Sequence, residues 1–373
     1  MSGRSVTITA ADATSGVASV EYKLTGETAW TAYSAPVVVG DAGTTVTFRS
    51  TDAAGNVSTE GSQVVDAVVV EPGDVTVDRV AGASRYETAV EISKKSYPGT
   101  APVVYIANGN NYPDALSAGP AAAHEGGPLL LISPDTIPGV VSAELARLDP
   151  ARIVVVGGIP SVNAAVFLQL QGMADTVDRV AGADRYATSR ALVEYAFSDS
   201  GATFAYVSTG QKFPDALAAG GAAGAKDAPV ILVNGEATDL DAATVTLLDT
   251  LGVTDTRVLG ATDSVSAGVF ADVDAVTNSD RLAGSDRFET ARLINADAFG
   301  TAEHAFLVTG LNYPDALAGS AWAAAENAPV FAATTNCVPG GVLDDLEALG
   351  VTHVTLLGGE PSLGASVFAL TRC

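Results

Sequence analysis

The stretch VDRVAGASRYET at residues 77–88 returns as VDRVAGADRYAT at 177–188 and as SDRLAGSDRFET at 279–290. The first arginine of each is Arg79, Arg179 and Arg281, so the steps are 100 and 102 residues. Other landmarks keep the same register. Pro113-Asp114, Pro214-Asp215 and Pro314-Asp315 each open a PDAL motif, and a second proline follows at Pro128, Pro229 and Pro329. Apolar runs leading into glycine come next, at 153–158, 257–261 and 354–359. Ser161, Ser264 and Ser362 then read as helix starts, with Phe167, Phe270 and Phe368 beyond them. So many coincident anchors establish a threefold internal repeat, with copies at 75–174, 175–276 and 277–373.

Within a copy, strand and helix patterns alternate. In the first, strands are expected at 76–80, 103–107, 128–132 and 152–156. Helices are expected from Ser84, from Pro113, near 138–148 and from Ser161. Ser84 to Glu87 has capping-box spacing, and Asp286 to Glu289 repeats it with an acidic cap. Proline suits the first turn of a helix, where its missing N–H is not needed. Short, continuously apolar strands separated by helices predict a parallel sheet covered on both faces. Right-handed crossovers then give a doubly wound α/β unit.

Residues 1–70 follow another pattern. Val20, Tyr22 and Leu24 alternate with Ser19, Glu21 and Lys23, and Val46 and Phe48 alternate with Thr45, Thr47 and Arg49. Turn clusters at 40–43 and 52–56 punctuate them. The expectation is a small antiparallel β-sandwich, its first strand cut off, with Trp30 and Tyr33 in its core. A linker at 70–74 joins it to the repeats.

Composition excludes several function classes. Lys and Arg number 19 against 43 Asp and Glu, a net charge of −24. A basic footprint for nucleic acid or for an anionic lipid surface is therefore missing. No run approaches the roughly 18 apolar residues of a membrane span. The three histidines, His124, His304 and His353, do not align between copies, which argues against a repeated Ser-His-Asp or metal-histidine mechanism. No phosphate-binding loop occurs and the glycine pairs are no dinucleotide fingerprint, so no cofactor and no metal are expected. Cys337 and Cys373 either pair, closing a loop that would contribute about 4 kcal/mol in the chain-entropy model, or remain two buried thiols. Pairing would place the protein in an oxidising, extracytoplasmic setting. The sequence starts in a strand-like alternation without a signal-peptide pattern, so any export signal is expected to have been removed or to lie outside this chain.

The polar residues that recur are Arg79/Arg179/Arg281, Arg85/Arg185/Arg287 and Asp114/Asp215/Asp315. One reading is structural: Arg85 and Asp114, with their equivalents, clamp two loops by a bidentate ion pair. The other is a crevice at the carboxyl ends of the strands, the usual ligand position in open α/β sheets. There Asn111 and Tyr112, Lys212 and Phe213, and Asn312 and Tyr313 would offer hydrogen bonds and aromatic faces to a sugar.

These motifs resemble the cell wall binding repeat 2 family, whose signature combines R-V-A-G-x-D-R-Y-E-T, P-D-A-L, an I-L-L-type run after proline and V-x-x-V-G-G. The resemblance covers residues 75–373. It implies three Rossmann- or toprim-like domains around a pseudo-threefold axis, an intramolecular trimer of repeats. It implies a non-catalytic module that holds an exported protein on a Gram-positive envelope through an anionic secondary wall polymer, extracellular and without membrane insertion. On this reading Arg79, Arg85, Asn111, Tyr112, Asp114, Arg179, Arg185, Lys212, Phe213, Asp215, Arg281, Arg287, Asn312, Tyr313 and Asp315 are the candidate polymer contacts. The I-L-L-type run maps onto Leu129–Leu131 and Val230–Leu232, and the third copy departs from it at Val330–Ala332. Residues 1–70 resemble bacterial Ig-like stalk modules through SGVASVEYKL and STDAAGNVS. A lateral surface-layer component, or the targeting part of a peptidoglycan hydrolase, are the alternatives.

Overall fold

A computed structural model describes residues 4–39, 44–65 and 75–373. In the N-terminal part, β1 (Arg4–Val6), β2 (Val17–Leu24), β3 (Thr31–Ala32), β4 (Val37–Val39), β5 (Thr44–Asp52) and β6 (Gly61–Val65) are all antiparallel. They make a four-stranded sheet in the order β3-β2-β5-β6 and a separate β1-β4 pair. The alternation in β2 and β5 turns Val20, Tyr22, Leu24, Val46 and Phe48 toward Ile8, Val37 and Val39 in one small apolar cluster. Tyr33 joins that cluster as expected. Trp30 does not: its ring lies beneath the Lys23 ammonium at 4.4 Å and the Arg49 guanidinium at 4.2 Å, outside the core. The expected turn at 40–43 and the linker at 70–74 lie outside the described residues.

The first copy runs β7 (Thr76–Val80), α1 (Arg85–Ser96), β8 (Val103–Asn108), α2 (Pro113–Leu116), α3 (Ala118–His124), β9 (Leu129–Ile132), α4 (Gly139–Leu148), β10 (Arg152–Val156) and α5 (Ala164–Leu170). The second runs β11 (Thr176–Val180), α6 (Arg185–Phe197), β12 (Phe204–Thr209), α7 (Pro214–Lys226), β13 (Val230–Val233), α8 (Ala242–Leu251), β14 (Asp255–Leu259) and α9 (Ala267–Val276). The third runs β15 (Asn278–Leu282), α10 (Arg287–Ala298), β16 (His304–Thr309), α11 (Pro314–Glu326), β17 (Val330–Ala333), α12 (Gly340–Leu349), β18 (His353–Leu357) and α13 (Ala365–Phe368). Ser84 and Asp286 cap their helices through side-chain oxygens, as the capping pattern predicts.

Each copy builds only three of the four strands in its sheet. The orders are β11-β10-β8-β9, β13-β12-β14-β15 and β17-β16-β18-β7, all parallel. The opening strand of every copy completes the sheet of the copy before it, and β7 closes the circle on the third sheet. Sequence repeat and folded sheet are therefore offset by one strand. The physical reason is short-range: the five or so residues between α5 and β11 leave the strand beside β10, whereas α6 continues onto the next sheet. The first two seams are crossed by the chain. The third is held without a peptide link, by the β7–β18 ladder.

Helices α3, α7 and α11 pack together at the centre, rich in alanine and glycine. A side chain at Gly224 would run into the α11 backbone at Ala324, so glycine there sets how closely the two helices approach. At one end of these helices Tyr112, Phe213 and Tyr313 meet edge to face, their ring centroids 5.8, 5.7 and 5.3 Å apart. That near-equilateral triangle marks a pseudo-threefold axis. The Cys337 and Cys373 sulfurs are bonded, tying the segment after α13 to the loop after β17.

Candidate functional site

The repeated arginines spend their donors on backbone. Arg79 donates to the carbonyls of Gly358 and Leu363 at 2.6 and 2.7 Å, Arg179 to Gly157 at 2.7 Å, and Arg281 to Gly260 at 2.8 Å. Each guanidinium also faces Phe368, Phe167 or Phe270, which accounts for the recurring phenylalanine. Burial pulls all three below the usual arginine range. This set rivets each opening strand to the preceding copy. Arg85, Arg185 and Arg287 donate to Gly109, Gly210 and Gly310 in the loop after the second strand of their own copy.

The expected clamp between Arg85 and Asp114 does not form. Cyclic order places Arg185 near Asp114, Arg287 near Asp215 and Arg85 near Asp315, each pair from successive copies. None is a direct ion pair among the described residues. Each aspartate instead lies beside a serine. Ser161 donates to Asp114 at 2.5 Å and Ser362 to Asp315 at 3.2 Å, and Ser264 takes the same position at Asp215. These serines were expected to open the last helices. The caps lie two residues on, at Asn163, Ser266 and Gly364.

The elements converge on a groove between copies. At the second seam a cavity of about 190 Å³ is lined by Lys212, Asp215, Gly260, Asp263 and Ser264 from one copy and by Gly284 to Arg287 and Thr290 from the next. The corresponding residues at the other seams are Asp114, Gly157 and Ser161 with Arg185, and Asp315, Gly358 and Ser362 with Arg85. Gly157, Gly260 and Gly358 all have positive φ, at 103°, 90° and 119°. A side chain on any of them would strike the neighbouring aspartate. On the other wall, Thr88, Thr188 and Thr290 accept from the N–H of Gly82, Gly182 and Gly284, fixing the turn that opens the helix.

Asp215 is only 8% exposed. Burial raises the carboxyls of Asp114, Asp215 and Asp315 above the ordinary aspartate range, against the lowering effect of the serine hydroxyls, of the Thr88 hydroxyl at Asp315, and of nearby cations. The same departure recurs at three equivalent positions, which makes the three carboxyls candidates for a site. The sequence singles out these aspartates and arginines as candidates, but not the serines and glycines that the structure places beside them. Their recurrence was visible, yet each had an adequate explanation as a helix start or a strand end.

The remaining candidates are placed differently. The faces of Tyr112, Phe213 and Tyr313 are spent on one another. Tyr112 donates to the Gln211 carbonyl at 2.6 Å and Tyr313 to the Asn110 carbonyl at 3.0 Å. Asn111 and Asn312 are exposed and accept from the N–H of the tyrosine that follows. Lys212 is held by Asp263 at 3.2 Å on the groove rim. Leu129–Leu131, Val230–Leu232 and Val330–Ala332 are all buried strand.

His124 faces Asp227 at 2.6 Å and Ser200 at 3.2 Å, the order of a hydrolytic triad. Ser200 also lies against the Phe197 and Gly201 carbonyls, and the Asp227 side chain is 74% exposed. An orienting aspartate is buried in working triads. This contact joins the first copy to the second. Among the described residues no cluster of three or more His, Cys, Asp or Glu is arranged to hold a metal, and no helix is long and apolar enough to cross a membrane.

Comparison with known proteins places this geometry. A family model described as cell wall binding domain 2 (CWB2) matches residues 79–167, 179–270 and 281–368. The chain is 28% identical over 294 residues to the N-acetylmuramoyl-L-alanine amidase LytC of Bacillus subtilis, covering 79% of this chain and 58% of that protein. It is 27% identical over 291 residues to the amidase enhancer of the same organism, covering 78% of this chain and 39% of the relative. The chain thus spans less than two thirds of either relative. Two solved structures share the fold: Cwp6 from Clostridium difficile, with a TM-score of 0.73 at 21% identity over 88% of this chain and 57% of that one, and Cwp8, with 0.72 at 22% over 94% and 63%. Mixed α/β architecture, parallel sheets and three copies each matched over most of its length lead to one assignment: the chain belongs to the cell wall binding domain 2 family and is a cell wall-binding module.

Proposed function

We propose that the module anchors an exported protein to a Gram-positive wall by gripping a secondary wall glycopolymer in the three grooves between copies, without making or breaking covalent bonds. The observation that carries this is recurrence. Aspartate, serine, positive-φ glycine and the next copy's arginine return at every seam, whereas the histidines that hydrolysis would need do not. Of the original candidates, Asp114, Asp215, Asp315, Arg85, Arg185, Arg287, Asn111, Lys212 and Asn312 remain as groove or rim contacts. Arg79, Arg179, Arg281 and the three axial aromatics hold the ring in shape.

Each copy with its borrowed strand is proposed to be a Rossmann- or toprim-like unit. The N-terminal strands are proposed to form an Ig-like sandwich that serves as a spacer. Relatives are named as an amidase and an amidase enhancer; the part shared with this chain would supply wall attachment in an extracellular setting, and not hydrolysis. Co-sedimentation with purified Gram-positive walls, before and after the secondary polymer is stripped, tests this. Retention on intact walls and its loss on stripped walls is the expected result. Retention on both would favour lateral assembly or direct peptidoglycan binding, and retention on neither would refute anchoring.

A further inference from the structure

A protein of net charge −24 is a poor receptor for polyanions, and the grooves do not repair that locally. At the second seam Asp215, Asp263 and Asp286 outnumber Lys212 and Arg287. The Lys212 ammonium is already taken by the Asp263 carboxylate and carbonyl. Arg287 gives one N–H to the Gly310 carbonyl at 2.7 Å, and Arg185 one to Gly210 at the same distance, which holds both side chains against backbone. At the second seam the start of α10 lines the groove, and a helix N-terminus would ordinarily attract an anion. Some of the first-turn amides are already capped by the chain's own side chains: Asp184 accepts from Ala187, Asp286 from Phe288 and Glu289, and Ser84 from Glu87.

What the groove offers is an acceptor. A carboxylate lies on the floor beside a serine hydroxyl, with backbone around it and no aromatic face. Oxygen-rich, acceptor-dominated clefts of this kind satisfy sugar hydroxyls, each of which brings a donor. They repel phosphate and carboxylate substituents at close range.

Resting on the reading that these grooves hold wall polymer, we infer that they recognise uncharged, hydroxyl-bearing sugar units, with Asp114, Asp215 and Asp315 as hydroxyl acceptors, and not the anionic groups of the polymer. The polymer's charge then lies outside the contact, turned to solvent. The close-range repulsion between an acidic groove and the charged groups of the polymer is then avoided.

Retention on purified Gram-positive walls is measured with the full chain at about 0.05 and 0.5 M sodium chloride, where screening lengths differ severalfold. Neutral oligosaccharides released from the wall polymer and a synthetic poly(glycerol phosphate) serve as competitors. The expected result is retention that changes by less than about twofold with salt, competition by the neutral fragments alone, and a loss of at least about tenfold in the triple variant Asp114→Asn, Asp215→Asn, Asp315→Asn. Circular dichroism confirms that the variant is folded, and Asp215→Asn alone is the fallback. A steep fall with salt, or competition by poly(glycerol phosphate) alone, overturns the inference and leaves wall anchoring standing. Absence of retention on intact walls under every condition overturns both.

Discussion

The carboxylate of Asp215 lies against the α-carbon of Gly260, so closely that a methyl group there would collide with it and with Ser264. Asp114 with Gly157 and Asp315 with Gly358 repeat the arrangement. The backbone after the central strand is thus moulded around the carboxylate, and the positive φ of 90° at Gly260 makes the position costly for any other residue.

Gly260→Ala combines a backbone penalty with a steric one and should lower stability by roughly 2–4 kcal/mol. Gly300→Ala, with open space around the α-carbon, should stay within about 0.5 kcal/mol of the parent. Chemical denaturation of the two variants checks the contrast.

Folding raises the Asp114, Asp215 and Asp315 carboxyls, so the folded state binds their protons more tightly than the unfolded chain does. Their contribution is fully present below the ordinary aspartate value of 3.8 and is lost as pH rises through the elevated values. Groups that folding lowers, such as Glu289 and Asp344, work in the opposite sense, so the total profile hides the effect. Subtracting the melting profile of the triple Asp→Asn variant from that of the parent isolates it. The variant should be relatively less stable in acid and equally or more stable at neutral pH, even though its wall retention is lost. Destabilisation that is the same at every pH would show that folding does not raise these carboxyls.

Phe213 breaks the pattern of its partners, since it has no hydroxyl to reach the Leu311 carbonyl as Tyr112 reaches Gln211. Phe213→Tyr should supply that hydrogen bond and add about 0.5–1.5 kcal/mol. Tyr112→Phe should remove a comparable amount. Thermal unfolding of both variants gives the two signs.

The third seam depends on β7 and on the segment that accepts Arg79, and the Cys337–Cys373 bond braces that segment. Replacing both cysteines with serine should cost up to about 4 kcal/mol. The loss should be local: amide exchange should quicken in Thr76–Val80 more than in Thr176–Val180, whose seam is crossed by the chain itself.

Copy number, strand positions and most helices were legible because the inner strands, such as Val103–Asn108 and Leu129–Ile132, are almost continuously apolar and each signal occurs three times. The arrangement of Arg152–Val156 as a strand and the capping by Ser84 are examples. What local pattern could not reveal was partnership. Nothing in TVDRV at 76–80 distinguishes pairing with its own copy from pairing with β18, a choice made by connection length and ring closure. Ser161 looked like a helix cap because serine is common there, and only the folded structure turns its hydroxyl to Asp114. Tyr112 looked like a sugar platform until symmetry brought two more rings against it. Trp30 is expected as a core aromatic, but Lys23 and Arg49 cover its ring instead.

Because every sheet lends one flank to its neighbour, the number three is a condition of folding, not a dosage of binding power. A chain with one copy deleted would not grip the wall two-thirds as well. It would leave a bare apolar ladder with no mate, and its fate would be decided by whatever other polypeptide could fill the gap.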